Sequence, residues 1–315
     1  MKGLTDIAGI LVGHVSDYEA ITGCTAILCP QGAVGGVDIR GSASGTQETP
    51  TLDPLHVTPQ VHGILLAGGS AFGLEAAAGV RRHLERRGIG FETGAAKVPI
   101  VPAAILYDLG IGKAGVRPNV AMGEAAAAAA TDAAVAEGCV GAGTGATVGK
   151  IMGMKNAMKS GIGSYTVELP GGAVVSALVA VNAFGDVRDP ATGKIVAGAR
   201  RSAEGREFVD TPEEMKRRPP RGWGAKNTTL AVVATNAKLS KVEAEKLARF
   251  GGIGVTRAIY PANTYFDGDT TFALSVRSHE AEINTLKMAA ANAMVGAILR
   301  AVRMAKTLGG VPGLG

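Results

Sequence analysis

The chain has 315 residues, of which 46% are hydrophobic and 4% aromatic, and it contains 46 glycines. This length and hydrophobic fraction exclude a disordered chain and allow one large domain or two ordinary ones, packed through small side chains and tight turns. The formal net charge is +5, but acidic and basic residues are interspersed, so we predict no nucleic-acid-binding stripe and no nucleic-acid partner.

The cysteines and the first residues indicate a cytoplasmic protein. Cys24, Cys29 and Cys139 lack metal-ligand spacing and leave an odd thiol in any disulfide scheme, so we expect buried thiols in a reducing compartment. The N-terminus lacks the apolar core of a signal peptide. No apolar run approaches about 18 residues without a charge or a glycine cluster. We therefore expect no membrane span, no metal and no organic cofactor.

The first third of the chain alternates short strands with glycine-rich turns. Apolar residues at 7–12 and 23–28 predict two strands, and the Gly-, Ser-, Thr- and Pro-rich residues 31–60 predict a long ordered loop. Residues 61–67 form a continuous apolar run, which predicts a buried strand. A glycine turn then leads into an amphipathic helix that ends near residue 87.

The next two segments end at polar residues that become candidates for a site. The apolar stretch 98–106 delivers Tyr107 to a loop end, and the alanine-rich residues 119–137 predict a helix. The glycine-rich residues 141–150 end at Lys150, but their spacing does not fit a phosphate-binding loop. Lys150 is then either an ordinary solvated lysine or an ammonium that meets a ligand.

A strand pair and a charged segment follow. Residues 165–169 and 173–184 predict two strands joined by a Pro-Gly-Gly turn. The second strand is apolar and leads to Asn182, whose carboxamide must be satisfied by hydrogen bonds or by a ligand. The charged residues 200–226 predict a mobile, solvated linker, and a cut at its end would leave a loose tail.

The last third shows the clearest local signals. Residues 229–235 and 270–276 predict strands, and residues 279–306 predict a long terminal helix. Ser240 and Glu243 form a capping box, which opens a helix that we expect to end at Gly251-Gly252.

Two carboxylates, Asp267 and Asp269, flank Gly268 directly before the second of these strands. Local sequence leaves three interpretations open. The pair forms a turn, binds a cation, or orients the amine and hydroxyl of a catalytic threonine.

The junction between Asn227 and Thr228 joins the charged segment to an apolar, β-forming run. The simplest interpretation is a loop that enters a buried strand, with Thr228 as a β-branched strand opener. If the peptide bond breaks, however, Thr228 becomes an N-terminal residue whose free amine can act as the base for its own hydroxyl. The dipeptide alone does not decide between the two.

Several motifs occur together in one order along nearly the whole chain, and their joint occurrence is more specific than any one of them. They are LTDIAGILVGH at 4–14, GGSAFG at 68–73, GTGAT at 143–147, VNAFGD at 181–186, NTT at 227–229 and DGD at 267–269. The chain resembles the L-aminopeptidase/D-esterase (DmpA-like) family of self-cleaving amidohydrolases. Within that family it is similar to the endo-type 6-aminohexanoate-oligomer (nylon-oligomer) hydrolases.

The resemblance implies an α/β fold, a four-layer αββα sandwich of the N-terminal-nucleophile-hydrolase type. It implies that residues 1–315 form a single domain that cleaves itself after Asn227. The products would be a larger subunit, 1–227, and a smaller subunit, 228–315, with Thr228 as the N-terminal nucleophile of an amidase that needs no cofactor.

The resemblance also implies roles for five further residues. Asp267 and Asp269 match the pair that holds and polarises the nucleophile. Asn182 matches an asparagine that positions the reacting groups or stabilises an oxyanion. By relative spacing, Lys150 and Tyr107 match the lysine and tyrosine near the nucleophile in the nylon-oligomer branch.

Two departures from the peptidase members favour that branch: many of those members have Ser in place of Thr228, and Ser-Gly-Glu in place of the Asp-Gly-Asp at 267–269. We expect small amide or peptide substrates, no membrane partner, and a homo-oligomer, a tetramer of cleaved units. Two alternatives remain: an acyltransferase like ornithine acetyltransferase, and an uncleaved, inactive scaffold or binding member.

Overall fold

A computed structural model describes residues 1–217 and 227–315. These residues form sixteen strands and five α-helices, with short 3-10 turns between them. The strands are β1 Leu11–Asp17, β2 Thr22–Ile39, β3 Gly45–Gln47, β4 Val61–Ala67, β5 Phe91–Glu92, β6 Lys97–Val98, β7 Ala103–Ile105, β8 Thr147–Val148, β9 Met158–Lys159, β10 Ile162–Glu168, β11 Val174–Asn182, β12 Asp186–Arg188, β13 Ile195–Ala197, β14 Thr228–Ala237, β15 Ile259–Tyr260 and β16 Thr270–His279. The helices are α1 Ala76–Arg86, α2 Val120–Ala128, α3 Thr211–Arg217, α4 Lys241–Ala258 and α5 Ile283–Arg303.

The long strand β2 connects two sheets. Its first half pairs with β1 and β4, and the sheet continues through β7 to β3. Its second half pairs with β16, and this second sheet continues through β14 and β11 to β10. The pairing register of β2 and β4 shifts between Leu28 and Ala33, where β2 passes from one sheet to the other. Strands from both sides of the Asn227–Thr228 junction therefore lie next to each other in the second sheet.

Three apolar clusters separate four layers. Successive side chains of a strand point to opposite faces, so Val232 lies between the two sheets while its neighbour Val233 packs under α4 and α5. In the same way, Leu66 of β4 faces the second sheet and Leu65 faces α1 and α2. The order is therefore helices, sheet, sheet, helices, which confirms the α/β, αββα fold class.

Two predicted interruptions of regular structure, at Gly251-Gly252 and in residues 31–60, are wrong in whole or in part. We expected α4 to end at Gly251-Gly252, but it continues to Ala258. A Cβ at Gly251 would lie 2.8 Å from side-chain atoms of Val233 and Thr271, so this glycine lets the helix lie directly on the sheet. The predicted loop 31–60 is also partly wrong, because β2 extends to Ile39.

Other boundaries shift by smaller amounts. The predicted strand 7–12 begins only at Leu11, and α2 ends at Ala128, because Thr131 pairs with Val12 and draws the chain out of the helix. The strand Val61–Ala67, the hairpin of β10 and β11 and the capping box between Ser240 and Glu243 are confirmed.

The segment predicted as a mobile linker is ordered up to residue 217, and the rest of that prediction, 218–226, lies outside the described residues. The buried carboxylate of Asp186 accepts hydrogen bonds from the Thr211 N–H at 2.9 Å, the Thr211 hydroxyl at 2.8 Å and the Ala199 N–H at 3.1 Å. Arg200, only 7% exposed, donates to the carbonyl oxygens of Lys155 and Ala203. These buried polar contacts hold the segment against the fold.

Two composition-based expectations need correction. By length and composition alone, α5 is apolar enough to span a membrane, although the sequence had suggested no such segment. It packs against α4, β10 and β11 through Ala290, Ala293, Met294 and other apolar side chains, as the core helix of a layered fold does.

Cys24 and Cys29 are buried, as expected, and burial raises the pKa of each thiol to about 12. Cys139 is only half-buried, so the expectation of three buried thiols is partly wrong.

Candidate active site

The site forms where β14 begins. Thr228 is the first residue of this strand and is 3% exposed. It lies opposite Asn182, the last residue of β11, in the antiparallel register, and the preceding Asn227 forms a parallel bridge with Asp267. Sheet pairing therefore gathers four of the residues singled out from the sequence at one end of the second sheet.

The carbonyl group of Asn227 is held from two sides. The hydroxyl of Thr228 donates to its oxygen at 2.5 Å, and the main-chain N–H of Gly268 donates to the same oxygen at 2.9 Å. The Asn227 side chain donates to the carbonyl oxygen of Phe266 at 3.2 Å. The peptide group that precedes Thr228 is thus fixed in one orientation, with the threonine hydroxyl next to it.

The two carboxylates grip the main chain around this peptide. Asp269 accepts from the N–H of Thr229 at 2.6 Å with one oxygen and from the N–H of Asn263 at 2.9 Å with the other. Asp267 accepts from the Thr264 hydroxyl at 2.6 Å and N–H at 3.0 Å. The two carboxylates therefore stabilise a turn, as one interpretation predicted, and this same turn holds the Asn227–Thr228 junction.

Burial sets the electrostatics of the pair. It raises the pKa of Asp269 to about 7, and the negative charge of Asp267 adds to this rise. Burial also raises the pKa of Asp267, against the effects of its hydrogen bonds and of the nearby Lys150. Burial and the neighbouring negative charge therefore make Asp269 harder to ionise than an ordinary aspartate.

Lys150 and Tyr107 meet the Asn182 side chain. The Lys150 ammonium donates to Asn182 Oδ1 at 2.7 Å and to its carbonyl oxygen at 3.1 Å, while Asn182 Nδ2 donates to the carbonyl oxygen of Tyr107 at 2.9 Å. The N–H of Thr147 also donates to Asn182 Oδ1, at 3.1 Å. Burial lowers the pKa of Lys150 to about 7, so the solvated-lysine interpretation is wrong.

A cavity of about 410 Å³ lies beside this network. Its wall is mostly apolar, and the polar lining residues include Asp108, Thr147, Lys150 and Asn227. Other lining residues include Tyr107, Ile111, Met154 and Phe184. A mostly apolar cavity with a few convergent polar groups is typical of a small-molecule site.

Sequence reasoning missed three residues that organise the site. Thr264 binds Asp267, and its spacing, three residues before an acidic residue, is a capping signature that could have revealed it. Lys159 is fully buried and donates to the carbonyl oxygens of Ala146 at 2.7 Å and Ser160 at 3.0 Å. No local signal in the sequence distinguishes Lys159. None predicts that the main-chain N–H of Gly268 would bind the carbonyl oxygen of Asn227.

Metal ligation finds no support in the part of the chain that the structure describes. Among residues 1–217 and 227–315, no group of three or more His, Cys, Asp or Glu side chains is arranged to hold a metal ion. The carboxylates of Asp267 and Asp269 instead accept hydrogen bonds from the main chain and from Thr264.

Solved structures define the class of fold. The L-aminopeptidase D-Ala-esterase/amidase from Ochrobactrum anthropi, described as a variant of the Ntn hydrolase fold, matches with a TM-score of 0.72 at 20% identity, over 99% of this chain and 88% of that one. A β-aminopeptidase from Burkholderia sp. matches with a TM-score of 0.71 at 23% identity, over 100% of this chain and 91% of that one. The chain therefore has the fold of these two proteins, a variant of the Ntn hydrolase fold.

The family follows from sequence comparison. The profile of peptidase family S58 matches residues 2–314, and the chain belongs to this family. It is 38% identical to an uncharacterized aminopeptidase of Mycobacterium leprae, over 99% of this chain and 93% of that protein. It is 34% identical to the 6-aminohexanoate-oligomer endohydrolase of Kocuria sp., over 86% of this chain and 74% of that protein. The protein is therefore a hydrolase that acts on amide bonds.

Proposed function

We propose that the protein is a self-processing amidohydrolase. It cuts its own chain between Asn227 and Thr228 and then uses Thr228 as an N-terminal nucleophile on short amide substrates, peptides or 6-aminohexanoate oligomers. The observation that carries this proposal is the 2.5 Å contact between the Thr228 hydroxyl and the carbonyl oxygen of Asn227, a residue that lines a mostly apolar cavity.

The chemistry of turnover follows from the groups around Thr228. Once the chain is cut, the free amine of Thr228 accepts the proton of its hydroxyl, and the hydroxyl oxygen attacks the substrate carbonyl carbon. The carbon–nitrogen bond of the substrate then breaks, its nitrogen leaves as an amine that takes up this proton, and the acyl group stays on Thr228 as an ester. Water then hydrolyses the ester. Asp267 and Asp269 hold the main chain at the nucleophile, and Lys150 and Tyr107 fix the Asn182 carboxamide beside it.

The substrate class rests on the cavity and on the relatives. Ile111, Met154 and Phe184 suit an aliphatic chain, and a volume of about 410 Å³ suits a short one. The named activities of the relatives, aminopeptidase and 6-aminohexanoate-oligomer endohydrolase, are both amide hydrolyses. We propose in addition that the cleaved units assemble into a homotetramer in the cytoplasm, and light scattering that finds only monomers would contradict the assembly.

The decisive experiment follows self-cleavage and turnover together. Wild-type protein is expected to give fragments of 227 and 88 residues on a denaturing gel, with threonine at the new N-terminus. Thr228→Ala should leave one full-length band and no activity, whereas Thr228→Ser, which keeps a hydroxyl, should still be cut. Wild-type protein that stays full length yet hydrolyses amides would show that the mechanism is wrong.

The same preparation separates the alternatives. An acyltransferase would give product only when an amine acceptor is present, and a scaffold would give neither fragments nor product. We expect product from an amide substrate and water alone, detected by mass spectrometry.

A further inference from the structure

The turn between Asp267 and Asp269 presents its central N–H to the bond that is to be cut. The Gly268 N–H lies 2.9 Å from the carbonyl oxygen of Asn227, at hydrogen-bond distance. When a nucleophile adds to this carbonyl, negative charge collects on that oxygen. A main-chain N–H already aimed at the oxygen stabilises the charge without reorganisation.

Hydrogen bonds on both sides of Gly268 fix the position of the turn and of this N–H. Its carbonyl oxygens accept hydrogen bonds from a neighbouring loop, Asp267 from the N–H of Ala43 at 2.9 Å and Asp269 from the N–H of Gly41 at 3.3 Å. The Asp269 side chain also binds the N–H of Thr229, the residue after the nucleophile. One rigid turn therefore grips the chain on both sides of the junction.

Position 268 is glycine for a steric reason. Its φ angle is outside the left-handed region, so backbone conformation does not demand glycine there. A Cβ at this position would instead lie 2.8 Å from the Thr228 hydroxyl oxygen and 2.6 Å from the carbonyl oxygen of Ala43. The missing side chain leaves room for the nucleophile beside the N–H donor.

We propose that the main-chain N–H of Gly268 is the oxyanion donor of self-cleavage, an inference that rests on the proposed function. The Thr228 hydroxyl oxygen bonds to the carbonyl carbon of Asn227, and the carbonyl electron pair moves onto the oxygen that Gly268 holds. The carbon–nitrogen bond then breaks, and the hydroxyl proton is transferred, in net terms, to the Thr228 nitrogen. The resulting ester is hydrolysed by water to the Asn227 carboxylate and the free hydroxyl of Thr228.

The test removes this N–H and keeps the side chains of the turn. Gly268→glycolic acid, introduced into the full chain by nonsense suppression, replaces the main-chain amide with an ester. Loss of one oxyanion donor slows such reactions by about 100-fold or more, and we expect this decrease in the rate of fragment formation. The matched control is Ala157→lactic acid, which removes the main-chain hydrogen bond from the N–H of Ala157 to the carbonyl oxygen of Met154, and it should cut at the wild-type rate.

A second pair of variants keeps the proposal testable if the ester variant does not fold, as judged by circular dichroism. Gly268→Ala would put its Cβ 2.6 Å from the carbonyl oxygen of Ala43 and 2.8 Å from the Thr228 hydroxyl oxygen, so the turn must shift and carry its N–H away from the Asn227 oxygen, and cleavage should slow strongly. Gly115→Ala, where a Cβ has no neighbouring atom within 4 Å, serves as its control. Wild-type cleavage rates in the folded ester variant, or in Gly268→Ala, would overturn the role of Gly268 and leave the proposed function intact. A wild-type chain that never cuts would instead overturn the proposed function itself.

Discussion

The two flanks of Thr228 differ in what holds them. On the junction flank, residues 263–269 bind the chain mainly through main-chain hydrogen bonds and two buried carboxylates, and Thr228 is 3% exposed. On the cavity flank, the side chains of Asn182 and Lys150 bind each other, and that of Asn182 also binds the main-chain carbonyl oxygen of Tyr107, beside an open volume of about 410 Å³. The first flank is closed around one internal peptide, and the second can admit another molecule.

Under the proposed function, this difference separates two tasks that share Thr228 as their nucleophile. A closed, main-chain-built flank suits a single reaction on a fixed internal bond, because every donor is already in place. An open flank with side-chain donors suits repeated reactions on molecules that enter and leave. We therefore expect substitutions on the junction flank to affect self-cleavage first, and substitutions on the cavity flank to affect turnover first.

The largest effect is expected at the carboxylates. The two oxygens of Asp269 each accept from a main-chain N–H, so Asp269→Asn must turn an NH₂ group toward one of these donors. We expect self-cleavage to slow by at least ~100-fold, about 2.7 kcal/mol, in Asp269→Asn, and a comparable loss in Asp267→Asn. A time course on denaturing gels measures both.

The control for this pair is an exposed aspartate in a turn. Asp53 accepts from the N–H of Leu55 at 2.7 Å with one oxygen, a bond that an asparagine can keep, so Asp53→Asn should be cut normally. Near-normal cleavage and turnover in both carboxylate variants would reduce Asp267 and Asp269 to a simple turn.

On the cavity flank, Lys150→Met removes the cation that holds the Asn182 carboxamide. We expect kcat/KM for a short amide to fall roughly 30-fold, about 2 kcal/mol, while the self-cleavage rate changes only a few-fold. The exposed Lys155→Met is the matched control. If Lys150→Met slowed self-cleavage as much as turnover, the division into two flanks would be wrong.

Lys159, which lies outside both flanks and binds the carbonyl oxygen of Ala146 between the cavity-lining Gly145 and Thr147, should make the stability depend on pH. Burial lowers the pKa of Lys159 to about 8, whereas an unfolded lysine titrates near 10.4. Between these values the unfolded chain binds a proton that the folded chain does not, so the free energy of unfolding rises with pH across this window. The contribution of Lys159 has a limiting slope of about 1.4 kcal/mol per pH unit.

Urea unfolding of Thr228→Ala, which should stay in one piece, measures this slope at several pH values. Adding Lys159→Met should remove part of the rise between pH 8 and 10, whereas adding Lys155→Met should leave it unchanged. An unchanged rise in the Lys159 variant would mean that this lysine keeps its proton inside the fold.

The smallest effect is expected where the cavity meets solvent. Met154 is 37% exposed and lines the cavity, so Met154→Ala gives up only part of the apolar contact of a methionine. We expect KM for an aliphatic amide substrate to rise about fivefold, near 1 kcal/mol, with self-cleavage unchanged. Met288→Ala, on an exposed face of α5, should change neither value.

Much of the fold could be read from local pattern. The strand at 61–67, the hairpin of β10 and β11 and the cap at Ser240 rest on periodicity and turn chemistry, which act between near neighbours. Glycine-based boundaries failed where the glycines serve distant packing. Gly36 is one case, since a Cβ there would strike the main chain of α4.

The sequence by itself determined the order of the motifs, the apolar strand that opens at Thr228 and the residue types available for an amidase. Only the tertiary structure decided what each candidate touches: Lys150 on Asn182, Asp269 on the N–H of Thr229, and Gly268 on the carbonyl oxygen of Asn227. The reason is that these contacts join residues 32 to 41 positions apart, and their distances depend on the register of strands that local sequence does not specify.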